Sequence, residues 1–368
     1  MDELDRLLEE SLQRIGDDYR EDMEDRRAVN RGRLLAERPR FNWFQIGSVA
    51  LAGAAIIAAL LVVPGLFDDV SRNDSVAGQP PHPAIAAMID IPSPRDLAAK
   101  DESVWVSSDD GTLTKIDAAT NSPTRTIDLG GTAGDVGVGG SRILVAVPGL
   151  GELVVLDAET FEIVERIDLA GPVDALRLSV GTDAAWVVVP GEQVFRIDLG
   201  SMEPTALDLG GSPVDVAARG EGVWLLDAET GLNTLDPVTG APLGSPTNVD
   251  TDETGDLYAD QGSLWIARGS DDTITRISQT TGVLTGDFGV PGNYIDMAIN
   301  DQAVWMLSGS PTKGFLIPLD LETGDPLSDG IEINGDPLEV RTRAGVIWVA
   351  VNEAGRVLRI DPDLAINP

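Results

Sequence analysis

Short apolar runs recur along most of this chain, each flanked by Gly, Pro and acidic residues. The plainest copy opens with Gly171-Pro172-Val173-Asp174. It continues to Ala185-Trp186-Val187-Val188-Val189 and ends with Phe195-Arg196-Ile197-Asp198. Runs of four to six residues bounded by turn formers predict strands rather than helices. The phrase returns seven times, marked at one position by Trp105, Leu144, Trp186, Trp224, Trp265, Trp305 and Trp348, at steps of 39, 42, 38, 41, 40 and 43 residues. Four short strands per unit and a period near 40 predict an all-β fold, a seven-bladed β-propeller with four-stranded antiparallel blades.

The phase of the repeat predicts how the ring closes. Ala87-Met88-Ile89-Asp90-Ile91 matches Val164 to Leu169 and Thr205 to Leu209, which end their own repeats as outer strands. The C-terminal copy stops after Val357-Leu358-Arg359-Ile360-Asp361, one strand short. The N-terminal segment of the propeller is therefore expected to supply the outer strand of the last blade. That arrangement leaves the ring of sheets without an open seam.

The pattern changes before residue 84. Leu4, Leu7, Leu8, Leu12, Ile15, Tyr19 and Met23 fall at steps of three and four, predicting an amphipathic helical segment over 1–40. Its stripe suits a cytoplasmic partner bound through residues 4–23, a self-associating coil, or a loosely ordered tail. Ile46 to Leu66 is 21 residues without a charge, enough to cross a bilayer as a helix within a span of 41–67. Six Arg between Arg26 and Arg40 precede it and Asp68-Asp69 follow it. This bias predicts a single-pass signal anchor in the cell membrane, N-terminus cytoplasmic and propeller extracytoplasmic. A leader of 40 residues is too long for the n-region of a cleaved signal peptide. Residues 68–83, with Gln79-Pro80-Pro81-His82-Pro83, read as a linker, leaving 84–368 for the propeller.

Composition narrows the chemistry. The chain has no Cys and a single His, His82 in the linker. Thiolate metal sites, His clusters and Ser-His-Asp triads are thereby excluded. The net charge is −35, and all but three units of it lie beyond residue 40. Such a field repels nucleic acid and favours basic partners or cations, besides aiding solubility.

Two acidic series recur. Asp117, Asp157, Asp198, Asp236, Asp320 and Asp361 close third strands, with Ser278 in the remaining blade. Several precede Thr-Gly turns, where Asp accepts backbone N–H groups, so this series is read as structural. The second series is Asp96, Asp135, Asp174, Asp215, Asp256, Asp296 and Glu339, which open the first strands. First strands line a propeller's channel, so one carboxylate per blade is expected at its mouth. Each either caps backbone N–H groups or contributes to a cation- or ligand-binding site, for which Ca²⁺ is the natural metal. No loop matches an EF-hand. The Trp series is read as packing between blades.

Trp224 with Leu235-Asp236-Pro237-Val238-Thr239-Gly240, and Trp348 with Arg359-Ile360-Asp361-Pro362, resemble the repeats of YncE-like and virginiamycin-B-lyase-like seven-bladed propellers, related to NHL-repeat proteins. The resemblance spans Ala84 to Pro368. It implies the fold. The lyases of that group act through His and Mg²⁺, and the propeller region here has no His, which argues against lyase activity. The helix, span and exported domain also resemble the layout of membrane-bound anti-sigma regulators, without their zinc motif. Three functions follow as expectations. The first is a non-enzymatic binding or scaffold module for a protein or small ligand. The second is transmembrane signalling, and the third is an enzyme using paired carboxylates and a cation.

Overall fold

The computed structural model describes residues 82–249, 255–260, 262–268, 273–290, 292–310 and 312–367. The predicted amphipathic segment, span and most of the linker lie outside these residues. Among the described residues no helix is long and apolar enough to cross a membrane.

The strands form seven antiparallel sheets, and consecutive sheets are the blades of a ring. The inner strands are Pro94–Lys100, Val136–Gly139, Arg177–Val180, Pro213–Arg219, Asp256–Ala259, Tyr294–Ile299 and Pro337–Arg343. Each pairs with a second strand that is buried almost throughout, as Ala184–Val189 is at all six positions. Outer strands face water, as does Ser122–Asp128, which explains their polar sequences.

Ring closure follows the expectation. Ile85–Asp90 pairs antiparallel with Arg356–Ile360, with Met88 opposite Leu358 and Ile89 opposite Val357. Blade 7 thus combines three C-terminal strands with one from the start of the propeller. The short helix Pro362–Ile366 follows, capped by the Asp361 carboxylate, and its Ala365 is buried. His82 takes part in the entry turn, its Nδ1 accepting the Ala84 N–H at 3.2 Å.

Blade 4 departs from the four-stranded pattern. Among the described residues its sheet has three strands, and the chain beyond touches the third through isolated bridges, Leu235 to Pro242 and Leu232 to Thr247. Pro242 and Pro246 lack the N–H that a ladder needs, and Gly244 turns the chain at φ 80° between them.

The core is distributed between blades. Trp105 packs with Val136, Ile143 and Val145 of blade 2, and Trp186 with Val216 and Leu225 of blade 4. Trp305 packs with Val340 and Val349 of blade 7, and Trp348 with Leu97 and Val104 of blade 1. Each second-strand Trp therefore fills the gap to the following blade, with Leu144 serving between blades 2 and 3. The residue opposite Trp on the third strand is often cationic and covers the ring face. Arg276 stands 5.3 Å from Trp265, and Arg359 stands 5.9 Å from Trp348. The same Arg276 donates to the Leu321 carbonyl in the next blade's turn.

The turn Asp residues do what their position suggests. Asp236 Oδ1 accepts the N–H groups of Val238 and Thr239 at 3.0 and 2.7 Å. Asp117, Asp157, Asp198 and Asp320 repeat this geometry. The donors hold all five carboxyls below the usual carboxylate range.

Candidate functional site: the charged mouth of the channel

The channel-facing acid has a fixed place in the register. Trp105 pairs with Ala98, and Asp96 lies two residues before Ala98 on the same strand face. The same offset gives Asp135, Asp215, Asp256, Asp296 and Glu339 from the partners of Leu144, Trp224, Trp265, Trp305 and Trp348. In blades 1, 4, 6 and 7 a register shift falls between the acid and the residue two before it: Pro94, Pro213, Tyr294 or Pro337. Such a bulge re-aims the side chain at the end of a strand.

Blade 3 corrects the expected ring of seven. Trp186 pairs with Ser179, so the position two before is Arg177. Asp174 lies outside the strand and is exposed. Six carboxylates and one guanidinium occupy the equivalent places. The missed signal is spacing: every other acid stands nine residues before its Trp or Leu, whereas Asp174 stands twelve before Trp186 and Arg177 nine.

Four of the carboxylates latch one blade to the next. Asp96 accepts the Val136 N–H at 2.7 Å, and Asp135 accepts the Leu178 N–H at 3.0 Å. Asp215 accepts from Leu257 at 2.8 Å, and Asp296 from Val340 at 2.7 Å. In each case the donor follows the equivalent residue of the neighbouring blade, which independently places Arg177 in the ring. Where no such latch forms, the amide turns to its own blade, as Val216 does to Asp215 and Leu97 to Asp96.

Two arginines divide the acids between them. Arg341 stands opposite Trp348, where other blades carry small residues such as Gly137, Ser179, Ala217 and Ala298. It reaches Asp96 at 3.1 Å and Asp296 at 3.2 Å, and pairs with Glu339. Arg177 approaches Asp256 at 3.6 Å and feels Asp215 and Asp135 as well. Each guanidinium thus serves three carboxylates, which holds both well above the ordinary arginine range despite burial.

Burial dominates the carboxyl side. It pushes Asp96 and Asp215 up to about 6, against the pull of Arg341 and Arg177 respectively. Asp256 rises to about 7, through burial and then the neighbouring Asp215. Asp296 is raised by burial as well, opposed by Arg341. Tyr258 takes the small-residue position of blade 5 and Tyr294 the Pro position of blade 6, and burial lifts both phenols well above their usual range.

The cavity at this mouth has a volume of about 610 Å³, with Asp96, Asp135, Arg177, Asp256, Tyr258 and Arg341 among its walls. Among the described residues no group of three or more acidic or His side chains is placed to hold a metal ion.

No family model matches the chain, and no curated protein matches it in sequence. Solved structures match its fold. The β-propeller domain of Cps50 (Swd1) from Myceliophteria thermophila is 13% identical with a TM-score of 0.60, covering 75% of this chain and 98% of that one. Virginiamycin B lyase from Staphylococcus aureus is 12% identical with a TM-score of 0.59, over 75% and 98% of the two chains. Hydrazine synthase from Kuenenia stuttgartiensis is 14% identical with a TM-score of 0.62, over 74% and 96%. At these identities the likeness establishes the seven-bladed propeller fold and nothing finer.

Proposed function

We propose that this chain is a membrane-anchored binding module, with the propeller displayed outside the membrane and its channel mouth receiving a positively charged group of a small ligand or partner protein. The engagement of the channel carboxylates supports this reading. A general base must be free to take a substrate proton, whereas Asp96, Asp135, Asp215 and Asp296 are committed to backbone amides of the next blade. The arrangement favours a rigid receptor over acid–base chemistry. Six carboxylates against the four guanidiniums of Arg95, Arg177, Arg219 and Arg341 still leave the channel lining negative, which favours a cationic partner. The uncharged stretch Ile46 to Leu66 and the arginines before it support the anchor and its orientation.

Calorimetry on the full-length protein in detergent, with spermidine as probe, tests the channel. Salt-sensitive binding is expected, weakened about tenfold by Asp135→Asn combined with Glu339→Gln. Absence of heat up to millimolar spermidine rejects the channel reading. The orientation is checked by protease added to intact cells, which should remove a C-terminal tag.

A further inference from the structure

The channel changes character below its charged mouth. Three residues past each ring position, the inner strands of blades 2 to 6 carry Val138, Val180, Ala218, Ala259 and Ile299. All five line the cavity and are half-buried. Blade 7 has Thr342 there, whose hydroxyl donates to the Ile299 carbonyl at 2.9 Å. Three residues of extended strand set this apolar collar about 10 Å beyond the acids.

The collar side chains pack outward and face inward at once. Val138 rests on the core that holds Trp105, and Ile299 on the core that holds Trp265. The part of each that packing leaves uncovered is presented to the cavity. Between the acids and the collar, Gly137, Ser179, Ala217 and Ala298 line the bore with little or no side chain. The one hydroxyl among them is spent, since Ser179 Oγ accepts the Ala218 N–H at 2.9 Å.

A cavity of about 610 Å³ with charge at one level and hydrocarbon at the next has the make-up of a small-molecule site. A metal ion would use the acids and gain nothing from the collar. A cation that carries a hydrocarbon tail uses both. We propose that the ligand of this channel is a free monoalkylammonium ion, its head among the half-buried acids Asp135, Asp256 and Glu339 and its tail in the collar. A hexyl to octyl chain covers the distance between the two levels. A lysine side chain from a partner protein fits less well, because its hydrocarbon is tied to a backbone at the end that must lie deepest. The inference rests on the mouth receiving a cation and adds what that cation is attached to.

Calorimetry on the full-length protein in detergent tests the tail, with propylamine, butylamine, pentylamine and hexylamine as probes against blanks of detergent alone. Affinity should rise about fourfold per methylene, so hexylamine should bind roughly fiftyfold more tightly than propylamine. Hexan-1-ol has the tail without the charge and should bind about tenfold more weakly than hexylamine, or weaker still. Val138→Thr combined with Val180→Thr should shrink the hexylamine-to-propylamine ratio below about tenfold. An unchanged ratio in that variant overturns the proposal. Should the variant not fold, the wild-type series decides: equal affinity for all four amines overturns the role of the collar, while spermidine binding leaves the cation reading of the mouth standing. Silence from spermidine and the amines alike removes both. Acetyl-lysine amide binding as tightly as hexylamine would give the channel to a lysine of a partner protein, and also overturns the proposal.

Discussion

Arg341 carries more of the channel's charge balance than any other residue of its blade. Its guanidinium neutralises Asp96, Glu339 and Asp296, which come from three consecutive blades. Removing one partner from a buried ion pair leaves uncompensated charge, at a cost of about 3–5 kcal/mol. Solvent reduces that here, since 35% of the Arg341 side chain is exposed. Arg341→Met is therefore expected to destabilise by roughly 3 kcal/mol at pH 7.5. The loss should shrink at pH 5.5, where the stranded carboxyls can protonate. Urea unfolding at the two pH values measures both effects, and an equal loss at each would contradict the electrostatic account. Arg177 shows how a single residue misleads. Asp174 continues the acidic series by eye, but the strand begins three residues later.

At the scale of elements, the interface between blades is the unit of stability. Trp305 is fully buried against Val340 and Val349 of blade 7. Trp305→Ala should cost about 3–5 kcal/mol by leaving a cavity that strands paired on both sides cannot close. Calorimetric unfolding would show it as a lowered midpoint. The outer strand Ile85–Asp90 is short, yet its Ile89 is buried with Val357 and Ile116, joining blade 7 to blade 1. Ile89→Lys places an unpaired charge in that cluster. Blades 7 and 1 are expected to lose amide protection first in hydrogen exchange, ahead of blades 3 and 4. The repeat was readable at this scale because strand pairing and inward-facing apolar residues impose a period that the sequence must keep. Blade 4 was not, because a Trp and a closing Asp mark its inner three strands whether or not a fourth forms. Pro242 and Pro246 carried the missing information.

For the whole molecule, the two acidic series pull stability in opposite directions with pH. Asp96, Asp215 and Asp256 bind protons more tightly folded than unfolded, with values near 6, 6 and 7 against 3.8. A raised value means that the folded state holds more protons across this interval, so stability falls as pH rises from about 4 to 7. The turn carboxyls Asp117, Asp157, Asp198, Asp236 and Asp320 are lowered, so their contribution is lost as pH falls below about 4. Maximum stability is expected at mildly acidic pH, and unfolding midpoints that rise steadily from pH 5 to pH 8 would refute this.

The amino-acid order alone determined the seven-fold repeat, the closure by an N-terminal strand, the packing role of Trp and the capping role of the turn Asp residues. All four depend on local period and local hydrogen bonding, which neighbouring residues encode. Only the tertiary structure decided that the channel carries six acids and Arg177, that Arg341 gathers three of them, and that Tyr258 and Tyr294 meet across a seam. Apart from Glu339, which shares a strand with Arg341, the partners lie between 36 and 245 residues apart and come together only when the ring closes. Their chemistry depends on distance and burial in the closed ring, and neither quantity is written in the spacing of any one repeat.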